Sequence, residues 1–541
     1  YAYFCQIYIN YNSMRKLHIP GRSNVIGMNG LAATSQPLSS LEAINILKKG
    51  GNAIDAAIAA SAVQSVIEPN STGVGGDCFA LIALNNKNPI AVNGSGISPK
   101  KANLEYFNKN RITKINPTSP HSVNIPGAVH AWYKMHQKFG KLDFRELFIA
   151  AENYARNGFP VHEVVAKSWS ENLDKLKIHP LSKLTFLKNS KPYKFGEIHK
   201  NESLANTLNT IANKGAEEFY NGYIARDIVD SLNAIGGLHS LEDFYNQDTI
   251  FSDSLNYNYK NLNLHQCPPN GPGITVLMMM GILENFNFSN INPMSSKRFH
   301  LQAEASKIAY EEREREIGDP KFGNYDYLEL LNKNYLNSLS SKISMNKIYN
   351  PENYSITAHP DTVYISVVDK DQNAVSFINS ICFAFGSGVT TNKTGILLQN
   401  RGVNFRLEEN HPNVIEGNKR PLHTIIPGLV LDKENKAILS YGVMGGQYQP
   451  VGHCHFLQNF FDFGLSIQES IDFPRAFNLE MKYKLEKSIS SEIFKELSNL
   501  GHNVSYANNT HGGGQAIYID RKLGSLIGGS DSRKDGCAIA Y

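Results

Sequence analysis

Cysteine is scarce in this sequence, and its distribution excludes two kinds of site. The six cysteines in 541 residues stand singly, at Cys5, Cys78, Cys267, Cys382, Cys454 and Cys537. Neither the paired spacing of a zinc site nor the dense spacing of a disulfide framework occurs. Scattered single cysteines are typical of a reducing compartment, so we expect a cytoplasmic protein without disulfides.

Concentrated charge and long apolar runs are also lacking. Charged residues make up 19% of the chain, and the formal net charge of +4 is spread along it. A nucleic-acid-binding protein gathers its basic residues into a patch, so no nucleic-acid partner is expected. No apolar run reaches the ~20 residues of a membrane-spanning helix, so no membrane partner is expected either. Residues 1–24 are predicted to be an extension outside the fold, with Met14 as the candidate native start.

Helical patterns with defined ends fill the first two thirds of the chain. Ser39 and Glu42 have the spacing of a capping box, and the glycines at positions 50 and 51 would end that helix. Asn52 offers a second cap before an Ala-rich run to Val66, which predicts a helix buried on most sides. The mixed charge run 311–316 is interpreted as a solvated helix face. Further helices are predicted over residues 128–139, 144–157, 274–285 and 298–314.

The pattern changes to strands near residue 350. Residues 332–354 are rich in Asn, Ser and Lys, which predicts an exposed connection. Alternating apolar residues on both sides of a turn sequence predict a hairpin over 362–379. Helices before, between and after hairpins indicate an α+β fold with sheets between helical layers. Further strand pairs are predicted over 424–431 with 436–444, and over 514–519 with 525–529.

Thr362 stands at the start of the predicted hairpin, directly after the polar connection. By itself it is a β-branched strand residue with no further role. If the peptide bond after Asp361 were broken, however, Thr362 would gain a free α-amine with a pKa of roughly 8, near enough to neutrality to take the hydroxyl proton. One residue would then supply both nucleophile and base.

Two other local patterns allow both a functional and a plain structural interpretation. Gly445 and Gly446 follow an apolar strand, where their amides could stabilise an oxyanion or simply form a turn. His453 and His455 alternate as metal ligands would in a strand, but their apolar neighbours are spaced as in a helix. A helix would separate the two rings, so we expect no metal site there.

Many segments, in the right order from about residue 25 onward, resemble the gamma-glutamyltransferase family. The resemblance implies a four-layer αββα sandwich of the N-terminal-nucleophile hydrolase type, and an enzyme that uses no cofactor and no metal. The segments that carry it before residue 350 are 33–38, 50–57, 71–76, 125–128, 268–273 and 317–320. Those after residue 350 are 362–369, 385–388, 395–398, 419–422 and 445–446.

The resemblance also implies how the enzyme matures and works. Self-cleavage between Asp361 and Thr362 would leave a large subunit, 25–361, and a small subunit, 362–541, intertwined in one domain as a heterodimer. Thr362 would attack a substrate amide, with the amides of Gly445 and Gly446 on the oxyanion, and pass the acyl group to water or an amine. The expected substrate is a gamma-glutamyl amide of the glutathione type.

Departures from the family pattern fall among the residues that hold the glutamyl group. Val363 replaces the second threonine beside the nucleophile, and Ser95 stands where an arginine is expected. His423 and Thr424 replace a pair of serines. Asn404 replaces the aspartate that grips the substrate α-amine. We therefore expect these pocket residues to set a specificity that differs from that of typical members.

Arg401 enters the same pocket segment as a substitution. Its planar cation could bind a carboxylate through two hydrogen bonds, so an anionic substrate is still expected. Ser380 is expected as a further substrate-binding residue. The segments 376–380 and 399–402 resemble the branch of the family that contains oxamate amidohydrolases. A small carboxylate-bearing amide such as oxamate is therefore the alternative substrate.

An alternative of a different class is an uncleaved, inactive relative that serves as a binding protein. The presence of Thr362, Gly445 and Gly446 argues against it. No site for an acceptor amine is recognisable in the sequence. Hydrolysis is therefore expected to exceed transfer to an amine.

Overall fold

The architecture is seen in a computed structural model that describes residues 21–85, 87–323, 326–352 and 362–541. The helices in these ranges are α1 (Pro37–Lys48), α2 (Ala53–Ile67), α3 (Leu104–Lys109), α4 (Ala128–Phe139), α5 (Ile149–Asn157), α6 (Glu163–Glu171), α7 (Leu173–Ile178), α8 (Pro180–Phe186), α9 (Glu202–Lys214), α10 (Glu217–Tyr220), α11 (Tyr223–Asn233), α12 (Leu241–Tyr245), α13 (Gly273–Leu283), α14 (Ser296–Glu316), α15 (Lys333–Ser340), α16 (Gln449–Leu457), α17 (Ile467–Asp472) and α18 (Ser491–Asn499).

The strands are β1 (Val25–Gly27), β2 (Gly30–Thr34), β3 (Asp77–Ala83), β4 (Ile90–Gly94), β5 (Phe159–Pro160), β6 (Ile198–His199), β7 (Ile250–Asp253), β8 (Leu255–Tyr259), β9 (Leu262–Gln266), β10 (Val363–Asp369), β11 (Ala374–Ser380), β12 (Gly428–Leu431), β13 (Ala437–Met444), β14 (Ala476–Leu479), β15 (Lys482–Leu485), β16 (Val504–Tyr506), β17 (Gly513–Asp520), β18 (Ser525–Ser530) and β19 (Cys537–Ala540). Short 3₁₀ turns lie at Pro120–Ser122, Phe144–Phe148, Pro320–Phe322, Glu329–Leu331, Arg401–Asn404 and Gly446–Tyr448, and a π turn at Gln458–Asp462.

Two large antiparallel sheets organise these elements. The first has the order β1-β18-β17-β13-β12-β9-β8, and the second the order β19-β2-β10-β11-β3-β4-β7. Each sheet therefore combines strands from before residue 350 with strands from after it. β10, for example, pairs with β2 on one side and with β11 on the other. The two parts of the chain can separate only if both sheets are broken.

The sheets face each other across a layer of buried side chains. Along β10, Tyr364 and Val368 point into this layer, whereas Ile365 and Val367 pack among helices on the outer face. Helices α1, α2 and α4 cover the second sheet, and α13, α16 and α17 cover the first. This is the predicted αββα sandwich.

The buried Ala-rich helix is confirmed as α2. All of its residues are buried, and Asn52 caps it through a reciprocal capping box with Asp55. The preceding helix, however, begins earlier than predicted. Gln36 is its N-cap, and Pro37, whose backbone is already set for a helix, takes the first position. The predicted capping box at Ser39 is therefore wrong.

The charge run 311–316 is another wrong prediction. Glu312 and Arg313 are fully buried, and Glu311 and Glu314 nearly so. Arg313 pairs with Glu314 at 2.7 Å, and the Tyr335 hydroxyl donates to Glu312 at 2.5 Å. The segment after residue 332 packs over Glu311 and Glu312. Gln447 and Arg406 contact the next two residues of the run, and only its last two are not buried.

That segment is not a plain exposed connection, because α15 lies within it and buries Leu336 and Leu339. The predicted strand 424–431 is shorter than expected and forms only over Gly428–Leu431. The predicted helix 144–157 begins as the 3₁₀ turn Phe144–Phe148.

The ends of the predicted subunits lie partly outside the described residues, and Asp361 is among those outside. Within the predicted extension, Arg22 donates to Gly536 O at 2.6 Å, and Asn24 accepts from the Gln468 backbone at 2.9 Å. The five cysteines in the described ranges are free thiols. No helix there is long and apolar enough to cross a membrane.

Candidate active site

Thr362 lies at the open end of the β10–β11 hairpin. In this hairpin Val363 is opposite Asn379, so the end of β11 comes beside Thr362. The Thr362 Oγ1 and the Ser380 Oγ are 3.1 Å apart, and both residues are buried. The hairpin thus brings the candidate nucleophile and a candidate binding residue together.

Arg401 extends this contact from the 3₁₀ turn Arg401–Asn404. Its Nη2 donates to Ser380 Oγ at 3.2 Å, and its Nη1 donates to Thr424 Oγ1 at 2.7 Å. The side chain is fully buried. Thr362, Ser380, Arg401 and Thr424 therefore form one buried hydrogen-bonded chain.

Asp77, which the sequence analysis missed, lies beside Arg401. Its Oδ2 is 3.9 Å from Arg401 Nε, and its Oδ1 accepts from Gly96 N at 2.8 Å and from Gln399 Nε2 at 2.9 Å. A buried charge is tolerated only when it is paired and hydrogen-bonded, and these contacts provide both. A sequence signal existed, because Asp77 opens the otherwise apolar strand β3 directly after a glycine-rich loop.

His423 contacts Asp77 rather than the nucleophile. Its Nε2 lies 3.0 Å from Asp77 Oδ2, and Ile425 N donates to its Nδ1 at 3.3 Å. Burial, and then the positive charge of Arg401, lowers the pKa of His423 to about 4. The ring is therefore neutral near pH 7, and because Nδ1 accepts, the proton lies on Nε2 and is donated to Asp77.

Asn404 is directed to the loop before His423. Its Nδ2 donates to Leu422 O at 3.1 Å, and its backbone carbonyl oxygen accepts from Asn413 Nδ2 at 2.6 Å. None of its hydrogen bonds among the described residues reaches the chain of Thr362, Ser380 and Arg401. Its contacts therefore hold the loop in place.

Strands β10 and β13 face each other across the two sheets. Ser366 Oγ donates to Ser440 Oγ at 2.7 Å, and the Tyr364 ring lies so close to Gly442 that a Cβ there would clash with it. Continued along both strands, this alignment brings the start of β10 to the end of β13. Thr362 stands at the first of these two ends.

Gly445 and Gly446 follow the end of β13. Their φ angles of 130° and 57° lie in the region that favours glycine. A Cβ on Gly445 would come within 2.8 Å of Gly512 Cα, so a larger residue does not fit. Both glycines are buried, and the strand alignment places them near the start of β10, so their backbone amides are candidate donors to an oxyanion formed at Thr362.

A cavity of about 630 Å³ opens beside Gly445 and Gly512. Lys482 and Lys484 line it from β15, together with polar residues of the segment 503–511, and no lining residue in the described ranges carries a carboxylate. Its volume is in the range of sites for drug-sized ligands. Its charge suits an anionic group.

The sequence profile of the Gamma-glutamyltranspeptidase family matches residues 39–541. The chain belongs to this family.

Relatives of this gamma-glutamyltranspeptidase family member cover nearly its whole length. The Glutathione hydrolase-like YwrD proenzyme of Bacillus subtilis is 34% identical, with 95% of this chain and 99% of that protein covered. The Oxamate amidohydrolase proenzyme of Klebsiella pneumoniae is 30% identical, with 96% and 100% covered. The crystal structure of cephalosporin acylase from Bacillus halodurans superposes with a TM-score of 0.92 at 33% identity, with 98% and 99% covered.

Membership of the gamma-glutamyltranspeptidase family makes the chain an amide hydrolase that is produced as a proenzyme. Its fold is the one expected of that family. Of the predicted binding residues, Ser380, Arg401 and Thr424 lie in one hydrogen-bonded chain with Thr362. His423 and Asn404 contact the surroundings of that chain.

The two neighbouring histidines of this gamma-glutamyltranspeptidase family member lie on helix α16, as predicted. His453 Nε2 accepts from Val443 N at 3.2 Å, whereas His455 Nδ1 is 3.2 Å from Gln302 Oε1. The helix directs the two rings to different partners. They are therefore not arranged as a pair of metal ligands.

Proposed function

We propose that the chain cleaves itself before Thr362 and then uses Thr362 as the nucleophile of an amide hydrolase. The observation that carries this proposal is the buried chain from Thr362 through Ser380 to Arg401. It separates a nucleophilic hydroxyl from a buried cation by a single hydroxyl group. A substrate carboxylate bound by Arg401 would hold a neighbouring amide carbonyl within reach of Thr362.

Self-cleavage begins with attack of Thr362 Oγ1 on the carbonyl carbon of Asp361. The C–N bond breaks as the nitrogen takes up a proton, which leaves an ester on Oγ1 and a free α-amine on Thr362. Water then hydrolyses the ester, so Asp361 gains a carboxylate and Thr362 regains its hydroxyl. The fragments 1–361 and 362–541 stay together as a heterodimer, because β10 pairs with β2, and β11 with β3.

Turnover repeats the same chemistry on a substrate amide. The α-amine of Thr362 takes the hydroxyl proton while Oγ1 attacks the substrate carbonyl carbon. The amides of Gly445 and Gly446 donate to the oxyanion. Collapse releases the substrate amine, which takes the proton from the ammonium group, and water hydrolyses the remaining ester.

A gamma-glutamyl amide of the glutathione type is the substrate that this site supports best. Nη1 and Nη2 of Arg401 each carry two N–H groups and each makes one hydrogen bond among the described residues, so a substrate carboxylate could accept from the other two. The cavity beside Gly445 has room and two lysines for a leaving group that carries a second carboxylate. Relatives named glutathione hydrolase support this choice.

Oxamate is the second candidate, and Asn404 favours it. The neutral Asn404 side chain is bonded to Leu422 O, so this position offers no carboxylate to a substrate ammonium group. Oxamate has a carboxylate and an amide but no amine. A relative at 30% identity is named an oxamate amidohydrolase.

The test is to incubate the purified protein with glutathione and, separately, with oxamate. We expect glutamate to be released from glutathione, at a rate that added glycylglycine does not raise. The Thr362→Ala variant controls for contaminating activity and should release nothing. Consumption of oxamate alone would establish the second candidate, and an uncut chain that consumes neither would favour an inactive binding protein.

A further inference from the structure

Helix α14 carries a stripe of buried polar side chains, none of whose described hydrogen bonds reaches Thr362, Ser380 or Arg401. His300, Glu304, Lys307 and Glu311 follow the i, i+4, i+7, i+11 spacing of one helix face. None of the four is more than 8% exposed. Buried ionisable groups require partners, and apart from His502 the partners of this stripe outside α14 come from a single segment.

The middle of the stripe binds the backbone of Tyr349 on both sides. Tyr349 N donates to Glu304, and Lys307 Nζ donates to Tyr349 O at 2.6 Å. Lys307 and Glu304 also pair with each other at 2.5 Å. An ion pair on the helix thus binds both backbone polar groups of one residue of the segment.

The two ends of the stripe bind the same segment on either side of Tyr349. His300 Nε2 donates to Ser344 O at 2.7 Å, and Glu352 N donates to Glu311 Oε1 at 2.6 Å. The Tyr349 hydroxyl adds a bond to Glu311 Oε2 at 2.5 Å. Apart from that hydroxyl, every group of the segment that bonds to the stripe is a backbone N–H or C=O.

The segment that receives these bonds, residues 343–352, has neither helix nor strand in it. Its N–H and C=O groups therefore need partners from another element. It is also the last described segment before Thr362 in the sequence. We propose that the α14 stripe positions this segment for self-cleavage before Thr362 and holds it afterwards.

This inference rests on the proposed function, because it presupposes cleavage at that bond. Glu304, Lys307 and Glu311 act as positioning residues, because each bonds to the segment and none has a described contact with Thr362. They should affect the rate of cleavage and leave the cleaved enzyme unaltered.

Two residues of the stripe and the neighbouring His502 also resemble a metal site. The ligand atoms of His300, Glu304 and His502 lie within 4.8 Å of one another. The hydrogen bonds favour the positioning role. With His300 Nε2 donating to Ser344 O, its Nδ1 accepts from His502 Nε2 at 2.8 Å. The Lys307 ammonium already supplies the positive charge beside Glu304.

The experiment compares the rate of precursor cleavage in the Glu304→Gln, Glu311→Gln double variant with that of the unaltered chain. A glutamine has one acceptor oxygen where glutamate has two, so each change removes a partner of the segment. Freshly synthesised precursor is followed by denaturing gel and intact mass. We expect at least a tenfold slower conversion, with wild-type kcat and KM once the chain is cut.

Glu316→Gln is the matched control, because it lies on the same helix but is exposed and pairs with Arg315. It should be cut at the wild-type rate. If the wild type is cut and the double variant is cut at the same rate, the positioning role alone is overturned. If the wild type is not cut, the proposed function is overturned as well. Slower cleavage accompanied by an equal loss of kcat in the cut enzyme would indicate a general structural role and also overturn the inference.

Two further measurements keep the inference testable. If the double variant does not fold, Tyr349→Phe removes only the hydroxyl bond to Glu311 and should slow cleavage about threefold. Unchanged cleavage in that variant would contradict the inference. Stoichiometric zinc in the purified protein, required for cleavage and lost in His502→Ala, would replace the positioning role with a metal site.

Discussion

Arg401 and Asp77 lie 3.9 Å apart, measured from Nε to Oδ2, with both side chains fully buried. The separation is too long for a direct hydrogen bond. It is short enough for the carboxylate to balance the charge of the guanidinium in a low-dielectric interior. Arg401 therefore keeps N–H donors for a substrate, while the Asp77 carboxylate compensates its positive charge.

Asp77→Asn should destabilise the fold, because it leaves Arg401 as a buried cation without its countercharge. Breaking a buried pair in this way costs about 3–5 kcal/mol. The free energy of unfolding, measured by urea denaturation in the uncut Thr362→Ala chain, should fall by that order. Asp174→Asn is the control, since its side chain is 98% exposed, and it should change the same quantity by less than about 1 kcal/mol. Equal losses in both variants would contradict the role given to Asp77.

Arg401→Lys should weaken the binding of a substrate carboxylate, because a lysine lacks the planar fork. A charge-assisted hydrogen bond contributes about 1.5–3 kcal/mol, which corresponds to a roughly 10- to 100-fold loss in kcat/KM. Steady-state kinetics should show the loss mainly in KM. An amide substrate without that carboxylate should show much less change. A uniform loss for both substrates would place the carboxylate elsewhere.

Gly445→Ala should lower kcat strongly, because the φ of 130° and the contact with Gly512 leave no space for a Cβ. Displacing an oxyanion donor typically lowers kcat by about 10²–10³-fold. Gly464→Ala is the control, since its φ of 66° is also positive but a Cβ there meets open space. That control should keep its kcat and lose only about 1 kcal/mol of stability. Comparable kcat values in the two variants would refute the oxyanion role.

His423 makes the stability depend on pH. Its folded-state pKa of about 4 lies below the ordinary value of 6.5, so between these pH values the unfolded chain binds a proton that the folded chain does not. The stabilisation is complete above pH 6.5 and is lost as the pH falls toward 4. In His423→Gln, the slope of unfolding free energy against pH in this window should fall by up to about 1.4 kcal/mol per pH unit.

His239→Gln provides the comparison for that slope. Burial lowers the pKa of His239 to about 4 as well, and its Nε2 bonds to Val123 O at 2.9 Å. Its slope change should be similar, but kcat/KM should be spared because it does not contact Asp77. An unchanged slope in His423→Gln would show that His423 is not neutral in the folded chain.

The elements predicted correctly are those whose ends are encoded locally. The hairpin over 362–379 has alternating apolar residues on both sides of a turn sequence, and α4 forms at the predicted residues 128–139. In both cases the short-range pattern and the tertiary packing agree. The helix start at Pro37 was missed because two capping patterns overlapped and the proline decided between them.

The polar interior could not be predicted in the same way. Asp77 receives its partners from residues 96, 399 and 423, which are far apart in the sequence. The charge run on α14 has the same local pattern as a solvated face. Its first four residues are buried by residues 332–352 and by Arg406 and Gln447, and that packing is not encoded in the run itself.

The intact masses of the purified wild-type chain and of Thr362→Ala test the central claim most directly. The account predicts two fragments for the wild type, with the smaller one beginning Thr-Val-Tyr, and one uncut chain for Thr362→Ala. A wild type that stays in one piece, a break at another bond, or a Thr362→Ala chain that still splits in two would contradict it.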